Sequence, residues 1–259
     1  MSTHQSTFRA PTPSLDDAEK LVECARAVPF KRVFAGGLVA LALASSGCRR
    51  SLKKQGPLVL GPPDQALALA GLRVGQPIPA LLETSEGPIH CALDAQRAPR
   101  SVALFVGLAV GRANFRDLQT GATVSRPFYR DQAFFRAIPN LLVQSGCPLG
   151  NGTGTPGYRI ALEPSADDAR RLAQPGVLFL ASYHPAPNRV DPSPPSAGQV
   201  IGSQFVISLG DMSHLVGQVS VLGLCADLDR VRAMTQVVAS GARSVKLTQV
   251  VIEGLNNAH

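Results

Sequence analysis

RPFYRDQAFFRAIPNLLVQSGCPLGNGTGTPGYRIALE, residues 126–163, carries the densest structural signal in the chain. It holds an aromatic cluster (Phe128, Tyr129, Phe134, Phe135), one arginine among apolar neighbours (Arg136), a short apolar run ending in Gln144, and a glycine-rich loop. Phe134 to Gln144 reads as two short strands around an Ile138-Pro139-Asn140 turn. In the loop that follows, Gly152-Thr153-Gly154-Thr155-Pro156-Gly157 matches GxGxxG. A dinucleotide site needs those glycines between a strand and a helix. Here Pro156 sits inside the pattern and the strand-like YRIAL comes next, so the glycines are assigned to a tight backbone turn.

Outward from this stretch the chain alternates strands and turns. ALLETSEGPIHCALD, residues 80–94, reads as a hairpin whose strands each bury one face, and APRSVALFVGLAVG, residues 98–111, as a helix bounded by Pro99 and Gly111. Downstream, GVLFLASY is a buried strand beginning at Gly176, and HPAPNRVDPSPPSAGQ, residues 184–199, is a Pro-rich loop. Then come the strands QFVISL and LVGQVSVLG, a helix around ADLDRVRAM with Asp227 as N-cap, and a last strand in RSVKLTQVVIEG. The 259 residues include 21 Pro and 24 Gly, 45% hydrophobic residues and no Trp, a mixture that suits a turn-rich β protein better than a helical bundle.

The formal charge is +7, yet Lys and Arg form no run or stripe in the folded-looking part, so nucleic acid is not an expected partner. The basic cluster Arg49, Arg50, Lys53 and Lys54 instead adjoins a hydrophobic segment, which points to membrane headgroups. That segment runs from Lys31-Arg32 through VFAGGLVALALA to Ser45-Ser46-Gly47-Cys48, the pattern of a secretory signal peptide. Its apolar run of about a dozen residues is short for a spanning helix, which needs about 20. A cysteine directly after small residues also resembles the lipobox of bacterial lipoproteins, which implies lipidation at Cys48 and an exported, membrane-anchored protein of the cell envelope. The alternative is a buried apolar helix in a cytoplasmic extension. Residues 1–48 are therefore read as an extension and signal segment, 49–78 as a Pro/Gly-containing tether, and 79–256 as the folded domain. Cysteines stand at 24, 48, 91, 147 and 225 with no CxxC or Cys/His spacing, so no metal site is expected and the cysteines of the domain read as buried free thiols.

The order of features in residues 126–163 resembles the core of the cyclophilin family of peptidyl-prolyl isomerases, and Gly202-Ser203-Gln204-Phe205-Val206-Ile207 is similar to the family's second signature. The resemblance covers residues 80–253. It implies a mainly β fold, a closed eight-stranded antiparallel barrel capped by two helices, with side chains filling the barrel and the substrate groove on its outer face. It also implies rotation about X-Pro bonds in flexible or unfolded protein segments, by a monomer, with no cofactor. Arg136 aligns with the catalytic arginine, in Phe134-Phe135-Arg136-Ala137-Ile138-Pro139 where the family has Phe-His-Arg-Val-Ile-Pro, and Gln144 with the glutamine beside it. The substrate-binding positions implied are Leu141, Leu142, Ala181, Ser182, Gln204, Val206, His214 and Leu215. Leu141 and Leu142 stand where Phe and Met are usual, Val206 where a second Phe is usual, and Val219 where the family has His. A proline pocket with less aromatic wall predicts reduced efficiency; a catalytically weak module that binds proline-containing peptides is the alternative. No GxSxG elbow accompanies His184 or His214, which leaves hydrolase chemistry without a nucleophile.

Overall fold

A curled sheet and the helices packed on it place residues 126–163. The computed structural model describes residues 63–73, 75–182 and 199–255. Helix α1 (Pro63–Ala70) precedes the strands β1 (Ile78–Thr84) and β2 (Ile89–Leu93), which form the expected hairpin, and helix α2 (Pro99–Val110) follows. Next are β3 (Phe115–Arg116) and β4 (Thr123–Val124), a two-stranded hairpin, and then β5 (Gln132–Ala133), β6 (Arg136–Ile138), β7 (Leu142–Ser145) and β8 (Arg159–Ala161). The short helix α3 (Asp168–Leu172) leads to β9 (Val177–Ser182), β10 (Gln199–Ser208), β11 (Ser220–Cys225), helix α4 (Leu228–Ser240) and β12 (Lys246–Ile252). None of the described helices is long and apolar enough to cross a membrane.

The main sheet is antiparallel throughout, in the order β5-β12-β1-β2-β11-β9-β10-β7-β6, with β8 pairing to β10 beside that path. This corrects the expected closed eight-stranded barrel: the hydrogen-bonded path is open and holds more strands. Its two end strands, β5 and β6, are nevertheless consecutive in the chain. Only Phe134 and Phe135 separate them, too few residues to reverse direction and form a ladder. The chain steps across instead: the Phe134 N–H donates to Val245 O at 2.9 Å, and the Phe135 N–H to Gln144 O at 3.1 Å. The sheet is therefore curled until its ends lie one short step apart.

Alternation along the strands makes two apolar layers. The inner one contains Val143, Leu178, Leu180, Phe205 and Ile207, and α2 closes it, with Phe105 meeting Phe205 edge-on at 5.7 Å and Tyr129 at 5.0 Å. Helix α2 begins with Pro99 and ends at Gly111, whose left-handed backbone (φ 80°) suits a residue without Cβ. Its own N-cap, Ala98, has no side-chain acceptor. Glu163, the last residue of the opening stretch, serves instead and accepts from the Arg100 N–H (3.1 Å), the Ser101 N–H (2.6 Å) and the Ser101 hydroxyl (2.7 Å).

Three local readings change. Residues 63–70, expected in the tether, form α1, which buries Ala66, Leu67 and Ala70 in the inner layer because its Ala-Leu patch finds an apolar partner in α2. Asp227 does precede α4, but no side-chain cap bond forms there; its carboxylate accepts from the His90 N–H (2.9 Å) and lies 3.0 Å from His90 Nδ1. The His90 N–H contributes most to holding this acid below the usual carboxylate range. Finally, Cys91 and Cys225 are not free thiols. They face each other in the β2–β11 ladder and form a disulfide, while Cys147 is buried and free.

Candidate active site

Strand register assembles the site. Arg136 on β6 faces Gln144 on β7, Gln144 faces Val206 on β10, Val206 faces Phe179 on β9, and Phe179 faces Val221 on β11. Register partners project from the same face of a sheet, so these side chains form one row on the outer surface, roughly 19 Å long at about 4.8 Å per strand. Along its apolar half, Leu142, Leu172, Val177, Phe179, Ala181, Val206, Met212, Val219 and Val221 bury one another in a second cluster, and Leu141 and Leu215 pack against it. The result is an apolar floor with a cation at one end. Arg136 is exposed and, among the described residues, makes no side-chain hydrogen bond or ion pair.

A pair of buried amides sets the edge between cation and floor. Gln144 Nε2 donates to Gln204 Oε1 at 3.1 Å, and Gln204 Nε2 donates to Gly152 O and Gly154 O, both at 2.9 Å. A primary amide has two N–H groups, so Gln204 spends both on the glycine loop. The loop returns close to β10: a Cβ on Gly146 (φ 85°) would lie 2.1 Å from Ser203 O, the same oxygen that accepts the Tyr129 hydroxyl at 3.0 Å. Phe135 packs over Gly152, where a Cβ would come within 3.0 Å of its ring. The opposite rim is the 3-10 turn Ser213–Leu215, which exposes His214. Asp211 closes that turn by accepting the Ser213 N–H at 2.7 Å, and this bond is the main reason its acid lies below the ordinary range. Among the described residues no three His, Cys, Asp or Glu side chains are grouped to hold a metal ion.

Residues 80–257 match the family model of the cyclophilin type peptidyl-prolyl cis-trans isomerases. The chain belongs to the cyclophilin family. The peptidyl-prolyl cis-trans isomerase A of Mycobacterium tuberculosis is 32% identical over 178 residues, spanning 68% of this chain and 90% of that one. The peptidyl-prolyl cis-trans isomerase B of Streptomyces anulatus is 33% identical over 144 residues, 56% of this chain and 74% of its own. A crystal structure of a cyclophilin type peptidyl-prolyl cis-trans isomerase from Cryptosporidium parvum superposes with a TM-score of 0.52 at 18% identity, over 69% of this chain and 98% of that one, a likeness of fold.

In this cyclophilin, then, Arg136, Gln144, Leu141, Leu142, Ala181, Val206 and Leu215 share one outer surface, and His214 lies exposed in the turn beside Leu215. Gln204 also lies there, but its amide is engaged within the chain and positions Gln144 and the loop. Ser182 pairs through its backbone with Val200; its side chain, like residues 183–198 and Cys48, is outside the described residues. Phe179 is not among the positions that the family resemblance implies. It is 2% exposed and sits directly across the ladder from Val206, so an aromatic ring is present on the floor one strand away from the position where the family resemblance expects it. The signal was available in period two, because Phe179 alternates with Ala181 on the same face. Met212, 2% exposed and in the same cluster, is not among them either.

Proposed function

We propose that this cyclophilin isomerises X-Pro bonds of flexible protein segments with Arg136 as the donor to the prolyl nitrogen, and less efficiently than members with a fully aromatic pocket. The observation that carries the proposal is the row from Arg136 through Gln144 to Val206 and Phe179, a cation set by strand register beside an apolar floor. Rotation about a peptide bond is opposed by a resonance barrier of about 18–20 kcal/mol. At the twisted state the nitrogen lone pair localises, and a guanidinium N–H aimed at it stabilises that state over either planar isomer. Gln144, held by Gln204, is placed to bind the peptide backbone, and the proline ring lies on the floor, where burial contributes about 25 cal/mol per Å² of apolar area. Leu141, Leu142 and Val206 hold that ring less tightly than aromatic walls, which weakens positioning.

The test is isomerisation of an Ala-Pro peptide by the full chain, followed by NMR exchange. Wild type should accelerate exchange, and Arg136→Ala should lose about 10²–10³-fold in kcat/KM, the scale for removing one transition-state donor. Saturable binding without acceleration would instead establish the binding-module reading, and an unaffected Arg136→Ala would move the donor elsewhere.

The same proposal includes export and a lipid anchor at Cys48, with the protein acting as a monomer on envelope clients. The Cys91–Cys225 disulfide supports the compartment, since disulfides persist in oxidising surroundings. Fractionation of cells expressing the protein should place wild type in the membrane pellet and Cys48→Ser in the soluble fraction. Equal partition of the two rejects the anchor.

A further inference from the structure

A cavity of about 430 Å³ lies between the β3–β4 hairpin, residues 126–133 and the start of the glycine loop, on a part of the surface that contains neither Arg136 nor the apolar floor. Its base is aromatic: Phe115 and Phe128 are buried and meet edge-on at 4.7 Å. Its rim carries Leu118 and Leu149, 43% and 52% exposed, two of the few large apolar side chains that the described residues leave in solvent.

The charges around it divide into spent and unspent. Asp117 is spent. It accepts the Gln119 and Thr120 N–H groups at 2.8 and 3.1 Å and pairs with Arg126 at 2.7 Å, and these bonds hold its acid at about 2. Arg126 is spent on Asp117 and on the face of Phe115, 5.2 Å from the ring centre. Arg116 and Arg130 also line the cavity; their backbone N–H groups bond to Pro156 O and Phe128 O, but neither guanidinium has a hydrogen bond, ion pair or ring contact among the described residues. Asp131, held in a left-handed backbone (φ 53°), is the remaining unpaired acid, so the uncommitted charge is net positive.

We infer that this cavity is a second peptide-binding site, which takes a segment with acidic side chains for Arg116 and Arg130 and apolar side chains for Leu118 and Leu149. An arginine without an internal partner is a ready site for a planar carboxylate. The concave shape and the apolar rim favour a chain segment over a bilayer, and the uncommitted charge selects its sign. This site does not depend on proline or on Arg136.

The experiment uses the full chain and fluorescently labelled, proline-free Glu-Leu-Glu-Leu and Lys-Leu-Lys-Leu peptides in anisotropy titrations. The acidic peptide should bind saturably and more weakly as salt rises. The Arg116→Gln/Arg130→Gln double variant should lose at least about tenfold in affinity, as expected for charge-assisted bonds, while Arg136→Ala should leave binding unchanged. Leu118→Ala/Leu149→Ala, which keeps both arginines, should lose a smaller factor and serves if the double arginine variant misfolds. Equal binding of the lysine peptide, or full affinity in both double variants, overturns the inference. So does complete displacement of the peptide by equimolar inorganic phosphate, which marks a small-anion site, or by phosphatidylserine vesicles, which marks a membrane surface.

Discussion

Phe205 and Val206 are chain neighbours on β10 that face opposite sides of one sheet, and they live in different layers. Phe205 is fully buried and touches Phe105 at 5.7 Å, Tyr129 at 5.8 Å and Phe134 at 6.4 Å, all edge-on. Val206 is 4% exposed, yet it belongs to the smaller outer cluster, with Phe179 opposite and Gln144 alongside. The inner layer is closed by a helix and by aromatic contacts from several elements, so its members are fixed by packing. The outer layer is one side chain deep and ends at an exposed cation. Stability is concentrated inside, and the surface proposed to bind the peptide lies outside, one residue away.

The two layers should differ most at β10. Phe205→Ala should cost about 4 kcal/mol, the usual range for a buried Phe truncated to Ala being about 3–5 kcal/mol. Val206→Ala should cost about 2 kcal/mol, for two methyl-sized groups and a small void. Denaturant unfolding measures both, and a peptide titration should show that only Val206→Ala weakens substrate binding in molecules that remain folded. If the two cost the same, the layers are not energetically distinct.

The disulfide sharpens the inner side, because Cys91 and Cys225 both belong to the inner cluster and close a loop with a sequence separation of 134. Reduction should lower stability by about 2–4 kcal/mol, chiefly by freeing the unfolded chain. The urea midpoint with and without reductant reads this, and Cys91→Ala/Cys225→Ala should show no dependence on reductant at all. On the outer side, Phe179→Leu should cost less than about 1.5 kcal/mol as a swap of similar volume. It should raise KM severalfold and change kcat little if the ring on β9 serves the pocket; an unchanged KM would make Phe179 structural only.

The smallest effect is at the second cavity. The Asp117 acid lies at about 2 in the folded chain, below its ordinary 3.8, mainly through the Thr120 N–H and Arg126. A lowered acid contributes stability that is present above its unfolded value and lost as pH falls through the folded one. Wild type should therefore lose part of its stability between about pH 4 and pH 2, and Asp117→Asn should show a flatter profile across that window in acid-unfolding curves.

Much of the candidate site's layout is legible in the sequence. Arg136 and Gln144 stand in a motif whose spacing is local, eight positions apart around a turn, and a hairpin of that length pairs them directly. Leu142 and Val206 belong to the two signatures, and Ala181 follows from the resemblance in the strand between them. Gln204 was read as a substrate contact, but its partners Gly152 and Gly154 lie about fifty residues away, so its work inside the chain was hidden. The Cys91–Cys225 bridge was hidden for the same reason, since spacing without CxxC identifies no partner. Helix α1 does not stand out in the sequence because an eight-residue segment, PDQALALA, is too short for a stable helix by itself; packing on α2 supplies the stability.

The periodicities are written into the chain: which residues alternate, where Pro and Gly interrupt, and which short motifs set an arginine and a glutamine across a turn. Those are local properties, decided by sterics and side-chain spacing within a few residues. Which alternating face is interior, that Phe179 lies across from Val206, that Glu163 caps a helix some sixty positions earlier, and that two cysteines meet all follow from packing in three dimensions. Each of these depends on strand register, and register is set by how the sheet curls around its core.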